Sequence, residues 1–267
     1  MKAFNGFLTG FNSFFKAIPF IFKNKLSWIF FIPLLLYIII YASGFAFMDY
    51  LGNISSPYID QLFEGESSSE FMQKLPGILI WLVKFLIHVL FFFVFVYFGG
   101  FIILIVLSPL FAWLSEQTDQ IINNTNYPFS WAQFFNDIWR GILIALRNMF
   151  YELGITILVI IATLLPFINI ISGPIAALLL FFVSSYFYGF SFMDYTNERK
   201  RIKMKDTVLL MKNYRGMAIA NGMLFSFSLF IPLLGGFVAI VATVGATLAM
   251  NEIPEIKNYN SQITKNK

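Results

Sequence analysis

Few residues in this chain have the side chains and spacing that could do chemistry, and the first group suits the binding of an anion. Lys23, Lys25 and Ser27 stand just before the first long apolar stretch, where they could collect an anion at a membrane surface. Gly235 and Gly236 follow a proline-containing corner, where they could present backbone N–H groups at the positive end of a helix. Each group also has a simpler interpretation, because lysines anchor a membrane protein on its cytoplasmic side and glycines tighten a turn.

A second corner carries similar candidates. Asn169 and Gly173 lie between Pro166 and Pro174, inside an otherwise apolar stretch. They could present polar groups to the same anion, or they could only shape the turn. The sequence leaves both interpretations open.

Two acids beside apolar stretches are expected to have a structural role. Glu116 follows a long apolar stretch, and we expect it to form a salt bridge, with Arg140 or Arg147 as candidate partners. Asp194 precedes a basic segment and is expected to pair with a base in that segment. Ion pairs of this kind hold helices in register and need no substrate.

Catalytic motifs are absent from the sequence. There is no cysteine and only one histidine, so the chain has neither a thiolate metal site nor a histidine-rich one. The sequence also lacks a G-x-S-x-G motif, a P-loop and a paired-histidine motif. We therefore predict that the protein is not an enzyme and needs no cofactor.

The composition indicates an integral membrane protein. Of the 267 residues, 58% are hydrophobic and only 12% are charged, whereas soluble domains contain about 25% charged residues. Aromatic residues make up 19% of the chain, and 35 of them are phenylalanine. This is far more apolar side chain than one water-soluble core requires.

Two apolar stretches, 153–193 and 217–250, are each interrupted near the middle. The first contains Pro166 and Pro174, and the second contains Pro232 before the two glycines. Proline removes a backbone donor and clashes with the preceding helical turn, so each interruption divides its stretch into two arms of roughly 13–20 residues. A bilayer core takes about 20 helical residues to cross. The lengths therefore predict two broken helical hairpins that re-enter the membrane. The alternative is that both hairpins cross it fully, which would give six spans.

The other elements are predicted from charge and periodicity. Apolar residues recur every three or four positions near the N-terminus, which is typical of an amphipathic helix in the membrane interface. We predict a single membrane domain over residues 1–250, made of an interfacial helix (1–26), two long helices (28–48 and 75–115), an amphipathic helix (131–152) and the two hairpins, followed by a polar tail (251–267). The second long helix either extends beyond one span or turns at Ser108–Pro109.

The charges predict the topology. Residues 1–27 hold four lysines and no acid, the polar loop 49–74 holds five acids and one lysine, and 194–215 holds seven basic residues against three acids. The positive-inside rule places both termini and the basic segment in the cytoplasm and the acidic loop outside. The basic segment is explained by topology and lipid headgroups, so no nucleic-acid partner is predicted.

Several strings together resemble the CysZ-like sulfate permease family, which is grouped with the etoposide-induced protein 2.4 superfamily. Their order and spacing carry the resemblance from about Phe4 to Met250, although no single string is specific. The strings are Leu107–Phe111 with Leu114–Gln117, Leu165–Asn169 with Pro174, Asp194–Tyr195 before the basic segment, and Asn221–Gly222 followed by Ile231–Leu233 and Val244–Thr247.

The resemblance implies an all-α membrane fold with an interfacial N-terminal helix, two long transmembrane helices and two hemi-penetrating hairpins. It also implies sulfate uptake that feeds cysteine synthesis, through a channel-like route without ATP hydrolysis. The implied setting is the bacterial inner membrane, and the implied assembly is a homo-oligomer.

One departure from the family pattern bears on the substrate. Family members similar to the bacterial permeases carry an arginine pair, implicated in sulfate binding, six and five residues before the proline of the first span. Counted back from Pro33, those positions are Ser27 and Trp28. Lysine is a point charge and does not replace the planar guanidinium fork. Two alternatives therefore stand beside sulfate permeation: a non-transport membrane scaffold or lipid-organising protein, and a permease for another solute.

Overall fold

The computed structural model describes residues 2–62, 70–124, 130–163, 169–200, 202–231, 233–254 and 256. All the elements in these ranges are helical, which confirms the predicted all-α fold. A short 3-10 helix covers Ser27–Phe30. The α-helices are α1 (Lys2–Lys23), α2 (Phe31–Leu62), α3 (Glu70–Val106), α4 (Ser108–Asn123), α5 (Trp131–Thr163), α6 (Asn169–Arg199), α7 (Met204–Asn213), α8 (Arg215–Ser228) and α9 (Leu234–Met250).

Within the described residues, three helices are long and apolar enough to cross a membrane, or four if a bent pair forms one span. The three spans are Ser27–Leu51, Trp131–Thr163 and Gly173–Arg199. The chain also divides into two compact units inside the predicted domain 1–250. One unit is Phe31–Gly99, and the other combines Met1–Phe30 with Gly100–Lys267. That the whole range acts as a single domain stays a prediction.

The smaller unit contains α2 and most of α3. Phe31, Leu35 and Ile38 are each at least 60% exposed on α2, as expected of side chains that face lipid. The acidic loop predicted from residue 49 is shorter than expected, because α2 continues to Leu62 and α3 begins at Glu70. Gly65 and Ser67–Ser69, whose residue types predict a flexible loop, lie outside the described residues.

A bend separates α3 from α4. The segments Phe98–Val106 and Ser108–Asn123 meet at 65°, which confirms a turn at Ser108–Pro109 and excludes one long helix over 75–115. Pro109 lies in the first turn of α4, where its missing N–H costs no helical hydrogen bond. The Ser108 hydroxyl donates to the carbonyl oxygen of Ile105 at 2.8 Å and covers a carbonyl at the end of α3.

The core of the larger unit lies where α6 crosses α8. Gly189 of α6 faces the backbone of Ala218, and Gly222 of α8 faces the backbone of Ser185, so a Cβ on either glycine would overlap the other helix. Contacts this close are typical of membrane helices that pair through small residues. Fully buried phenylalanines fill the adjoining space; Phe192, for example, meets the ring of Phe225 edge-on at 5.1 Å.

Helix α1 packs on α8 and α9 through small residues. A Cβ on Gly10 would lie 2.5 Å from the carbonyl oxygen of Met217, and one on Gly245 would lie 2.8 Å from the Cα of Phe14. The opposite face leaves large apolar side chains exposed, among them Phe4, Leu8, Phe15, Ile18 and Phe22. Helix α1 therefore presents an apolar face outward while it forms part of the core, and its place in the membrane interface stays a prediction.

The first predicted hairpin differs from expectation in length. No helix ends between residues 152 and 153, because α5 is a single helix of 33 residues, and α6 has 31 residues. The amphipathic helix predicted over 131–152 and the first arm of the hairpin, from residue 153, were expected to be separate elements, but α5 contains both. These lengths do not require α5 and α6 to turn back inside a bilayer. The corner 164–168, with Pro166, lies outside the described residues.

The second predicted hairpin keeps the expected short arms. Helix α8 has 14 residues and α9 has 17, and Leu233 takes a left-handed backbone conformation with φ of 70° directly before α9. Pro232 lies outside the described residues. At 1.5 Å per residue the arms are about 21 and 25 Å long, less than the roughly 30 Å of a bilayer core. A re-entrant arrangement of this hairpin stays a prediction.

Candidate functional site

The polar stripe of α5 is buried against α6. The sequence predicts an amphipathic helix over 131–152, and the structure buries its polar stripe: Asp137, Asn148 and Glu152 are each at most 4% exposed. Asn148 follows Asp137 by 11 positions, about three helical turns, and Glu152 follows Asn148 by four, so all three lie on one side of α5. Buried polar groups of this kind require partners, and the facing helix α6 supplies most of them.

Arg140 is the centre of the first group of contacts. Its Nε and Nη2 donate to Oδ2 and Oδ1 of Asp194 at 3.1 and 2.9 Å. Nη1 donates to the carbonyl oxygen of Ile202 at 2.7 Å, and Nη2 also reaches the hydroxyl of Thr207 at 3.2 Å. Asp194 was expected to pair with a base in the segment after it; its partner lies instead on α5, 54 positions earlier.

Arg199 forms the second group at the C-terminal end of α6. Its Nη2 lies 2.6 Å from Oε2 of Glu116 and 3.0 Å from Oδ2 of Asp137. The expected salt bridge of Glu116 therefore exists, but its partner is Arg199 and neither Arg140 nor Arg147. One guanidinium thus joins α4, α5 and α6 where all three helices lie close together.

Lys200 continues the network toward the C-terminal residues of the chain. Its Nζ lies 3.3 Å from Oδ1 of Asp119, and both side chains are 1% exposed. Burial lowers the pKa of Lys200, and the charge of Asp119 opposes that shift. Asp119 also accepts a hydrogen bond from the amide of Asn251 at 2.8 Å. The first residues of the predicted polar tail are therefore packed, with Ile253 only 1% exposed.

Two buried polar side chains in this region have no partner among the described residues. Both carboxylate oxygens of Glu198 and both amide atoms of Asn197 lack a hydrogen bond. Glu198 is 6% exposed. The charges of Asp137 and Asp194 repel its carboxylate form, and those of the two arginines attract it. The ionic network is thus incompletely paired, and the unpaired groups are concentrated at the end of α6.

Further side-chain hydrogen bonds join α5 to α6 beyond the ion pairs. The amide of Asn148 donates to the hydroxyl of Ser191 at 2.9 Å, and Ser184 donates to Glu152. We call this row of contacts between α5 and α6, from Asp137 to Glu152, the polar seam. It covers about 22 Å of helix at 1.5 Å per residue.

The predicted anion-binding residues fall into two groups in the structure. Lys23 ends α1 and is exposed, Lys25 has a left-handed φ of 59°, and Ser27 begins the 3-10 helix. Gly235 and Gly236 are buried in the first turn of α9.

The 3-10 helix packs on the beginning of α9. The rings of Phe30 and Phe237 lie 6.2 Å apart, which brings the turn with Ser27 close to the glycines. Asn169 begins α6, and Gly173 is exposed, with open space around the position of a Cβ.

Sequence reasoning did not identify the polar seam as a buried site. The stripe on α5 was visible, but the segment after Asp194 was interpreted as a basic loop, whereas α6 continues to Arg199. The available signal was the spacing of Asp194 and Glu198, four residues apart, which places both on one face of a continuing helix.

A family model and several relatives match the sequence of this chain. The family model described as Sulfate transporter CysZ/Etoposide-induced protein 2.4 matches residues 13–239. A protein of Pseudomonas fluorescens Pf-5 named Sulfate transporter CysZ is 27% identical over 146 residues, which are 54% of this chain and 57% of that relative. Proteins with the same name from Pseudomonas aeruginosa LESB58 and Pseudomonas fluorescens Pf0-1 are 24% and 25% identical, over 81% and 74% of this chain and 84% and 76% of the relatives.

The matched region contains the bend between α3 and α4, the polar seam and the beginning of α9. It covers most of the chain, and the relatives carry one name, so the resemblance inferred from the sequence strings is confirmed. This multi-pass membrane chain belongs to the sulfate transporter CysZ/etoposide-induced protein 2.4 family.

Proposed function

We propose that this protein is a passive permease or channel for a small oxyanion, with sulfate as the substrate that its relatives' names indicate. The observation that carries the proposal is the family match over residues 13–239. In a bacterial cell the imported sulfate would feed cysteine synthesis. The polar groups that the membrane helices bury would then determine which ion passes.

The polar seam supports a transport function. Ionisable side chains within membrane-length helices are costly and mark the paths of ions and substrates. The seam holds Arg140 and Arg199 together with the acids that pair with them. A purely structural helix contact could be made from apolar side chains at lower cost in desolvation.

The entrance of the path is proposed at the turn between α1 and α2. Lys23, Lys25 and Ser27 lie in or next to the segment that joins α1 to α2, and Gly235 and Gly236 lie in the first turn of α9, whose positive dipole end would favour an anion. At the other corner, Asn169 and Gly173 would form the far end of the path. Glu116 and Asp194 would hold the helices in place through their ion pairs.

We place the protein in the bacterial inner membrane as a homo-oligomer, with both termini in the cytoplasm. The basic segment 194–215 supports this orientation through the positive-inside rule. The partners of the protein are then lipids, the transported anion and further copies of the chain, without nucleic acid or a cofactor.

The proposal is tested by sulfate uptake into proteoliposomes. Purified protein is reconstituted, radiolabelled sulfate is added outside, and sulfite, thiosulfate and selenate are added as competitors. Uptake faster than in protein-free vesicles, and reduced by the competitors, is the expected result. Uptake rates equal to those of empty vesicles would refute the proposed transport function.

The alternative function is that of a membrane scaffold or lipid-organising protein, and one observation favours it. Trp28 stands at one of the two positions where family members similar to the bacterial permeases carry arginine. Its ring centroid lies 5.6 Å from that of Trp113 on α4. This position therefore makes an aromatic contact and supplies no cation. A scaffold would bind lipid without moving any of the tested anions.

A further inference from the structure

Helix α7 follows directly on a helix of membrane-spanning length. It begins after residues 200–203, which link it to α6. The span Gly173–Arg199 has 27 residues, so at 1.5 Å per residue it is about 40 Å long, more than the roughly 30 Å of a bilayer core. Its charged residues all lie at the C-terminal end, from Asp194 onward, so this is the end that projects beyond the hydrocarbon. The short link therefore keeps α7 at the membrane surface.

The inner face of α7 is fixed by Arg140. Thr207 and Met211, one turn apart, are both fully buried. Nη2 of Arg140 donates to the hydroxyl of Thr207 at 3.2 Å, and Nη1 donates to the carbonyl oxygen of Ile202 at 2.7 Å, just before α7. Because the same guanidinium binds Asp194 of α6, the rotation of α7 about its own axis is fixed relative to the spanning helix.

Lys205, Leu209 and Lys212 form the opposite face of α7. Their spacing of four and three positions places them on one side of the helix. Leu209 is two positions from both Thr207 and Met211, which is about 160° around the axis at 3.6 residues per turn. Leu209 is 62% exposed, and both lysines are exposed. We call these three residues the outer face of α7; they place an apolar side chain between two cations outside the core.

The structure divides the basic residues of the segment 194–215 into two groups. Arg199 and Lys200 are used in buried ion pairs with acids of α4 and α5. Asp206 is an exposed acid on α7, and Arg201 lies outside the described residues. The exposed cations outnumber this acid and form no ion pair within the described part of the chain; they are Lys203, Lys205, Lys212 and Arg215.

We propose that the outer face of α7 docks on the acidic phospholipids of the membrane that α6 crosses. The lysine ammonium groups bind lipid phosphates, while the lysine stems and Leu209 enter the headgroup region. Basic clusters directly after a transmembrane helix recognise acidic lipids in this way. The link to α6 keeps the membrane permanently beside α7, which favours lipid over an acidic protein from solution. This surface is separate from the proposed anion path.

The first experiment reports the surroundings of position 209 in the full-length protein. The chain has no native cysteine, so Leu209→Cys can be labelled with the environment-sensitive fluorophore NBD and reconstituted into nanodiscs. Discs of phosphatidylcholine are compared with discs that also contain phosphatidylglycerol. Phosphatidylglycerol is expected to shift the NBD emission to shorter wavelengths and to increase its quenching by brominated lipid chains. High salt should reverse the shift, because 1 M salt screens charges beyond about 3 Å.

Three single variants of the labelled protein test the lysines. Lys205→Gln and Lys212→Gln are each expected to lose a large part of the shift that phosphatidylglycerol causes. The matched control is Lys203→Gln, which removes the same charge from an exposed residue that precedes α7 with an extended backbone. This control should keep most of the shift. Equal losses for all three variants would reveal attraction by net charge alone and overturn the outer face as the docking surface.

Two other results with the label would refute the proposal. An emission spectrum that is the same in both kinds of disc and insensitive to salt would mean that acidic headgroups are not recognised. A label that is shielded from water but not quenched by brominated lipid would indicate a protein on this face, such as a second copy of the chain.

A second measurement keeps Leu209 in place. Native mass spectrometry counts the phosphatidylglycerol molecules that the unlabelled wild type and the same lysine variants retain. Lys205→Gln and Lys212→Gln are expected to retain fewer than the wild type and Lys203→Gln, and identical counts would contradict the docking surface. Sulfate uptake enters neither readout, so the docking surface and the proposed transport function can fail independently.

Discussion

Arg140 and Asp194 form a two-point ion pair between α5 and α6. The two N–H···O bonds measure 3.1 and 2.9 Å, and the carboxylate is 2% exposed. Planar pairing of this kind fixes the rotation of each helix as well as its distance from the other. The pair therefore determines which face of α5 meets α6, and with it the composition of the polar seam.

Breaking this pair from one side should destabilise the protein strongly. Asp194→Asn leaves the guanidinium of Arg140 buried without its counter-charge, which is expected to cost about 3–5 kcal/mol of unfolding free energy. Thermal unfolding in detergent, followed by circular dichroism, reports the loss. The double variant Arg140→Gln/Asp194→Asn should lose less than the sum of the two single variants. Additive losses would show that the two side chains act independently.

Glu198 should respond in the opposite way. Its carboxylate oxygens have no hydrogen-bond partner among the described residues, and two other acids lie near enough to repel it. Glu198→Gln places a neutral amide of the same shape beside these acids, so no like charge can form there. We expect an unchanged or higher melting temperature, in contrast to the decrease for Asp194→Asn. A decrease as large as that of Asp194→Asn would reveal an ionic partner for Glu198.

The sequence predicts the elements of this fold better than their contacts. Pro109 marks the bend after α3 because a proline fits most easily in the first turn of a helix, and the short arms of α8 and α9 follow from the corner between them. The signal is not strict, since Pro19, Pro57 and Pro174 lie inside α1, α2 and α6. The partner of Asp194 lies 54 positions away, and no local pattern specifies a pair so distant. Local periodicity shows that α5 has a polar face, but only packing decides that this face is buried.

The candidate site, too, could be predicted from the sequence only where a local pattern marks it. Gly235 and Gly236 were singled out because a turn has a local signature, and they lie in the first turn of α9. Their role in anion binding stays a prediction. The seam needs α5 and α6 to meet in one register, which follows from contacts along their whole length. Glu116 illustrates the difference, since its need for a base was predictable from its apolar surroundings while the identity of Arg199 was not.

The crossing of α6 and α8 should tolerate no added side chain. Gly222→Ala places a methyl group into the backbone of Ser185, and Gly189→Ala places one into the backbone of Ala218. Each change forces the helices apart, so we expect a large decrease in melting temperature. The loss of unfolding free energy should lie at the upper end of the roughly 1–3 kcal/mol that is typical of overpacking. The matched control is Gly154→Ala on α5, where a Cβ meets no atom within 4 Å.

The control should behave differently from both crossing variants. Because alanine is a better helix former than glycine, Gly154→Ala is expected to leave stability unchanged or to raise it by up to about 1 kcal/mol. Thermal unfolding of the three variants under one set of conditions makes the comparison. If Gly154→Ala and Gly222→Ala lower the melting temperature by similar amounts, the close approach of α6 and α8 is not the reason that glycine is needed at the crossing.

The two corners should differ in their access to the outside of the membrane. The chain has no native cysteine, so single cysteines can be introduced at the exposed positions Gly173 and Ile231, with Ser67 as the reference. Helices α5 and α6 exceed the length needed to cross a bilayer, whereas α8 and α9 are about 5–9 Å shorter than its core. A membrane-impermeant maleimide added outside should therefore label Gly173→Cys nearly as fast as Ser67→Cys.

Labelling of Ile231→Cys should be slower by a large factor, because the corner between α8 and α9 does not reach the outer surface if the hairpin is re-entrant. Solubilisation in detergent removes the bilayer and should bring all three cysteines to similar rates, which controls for local steric protection. Equal labelling of Ile231→Cys and Ser67→Cys in intact membranes would refute the re-entrant second hairpin. Slow labelling of Gly173→Cys would instead show that α5 and α6 also turn back, despite lengths that allow them to cross.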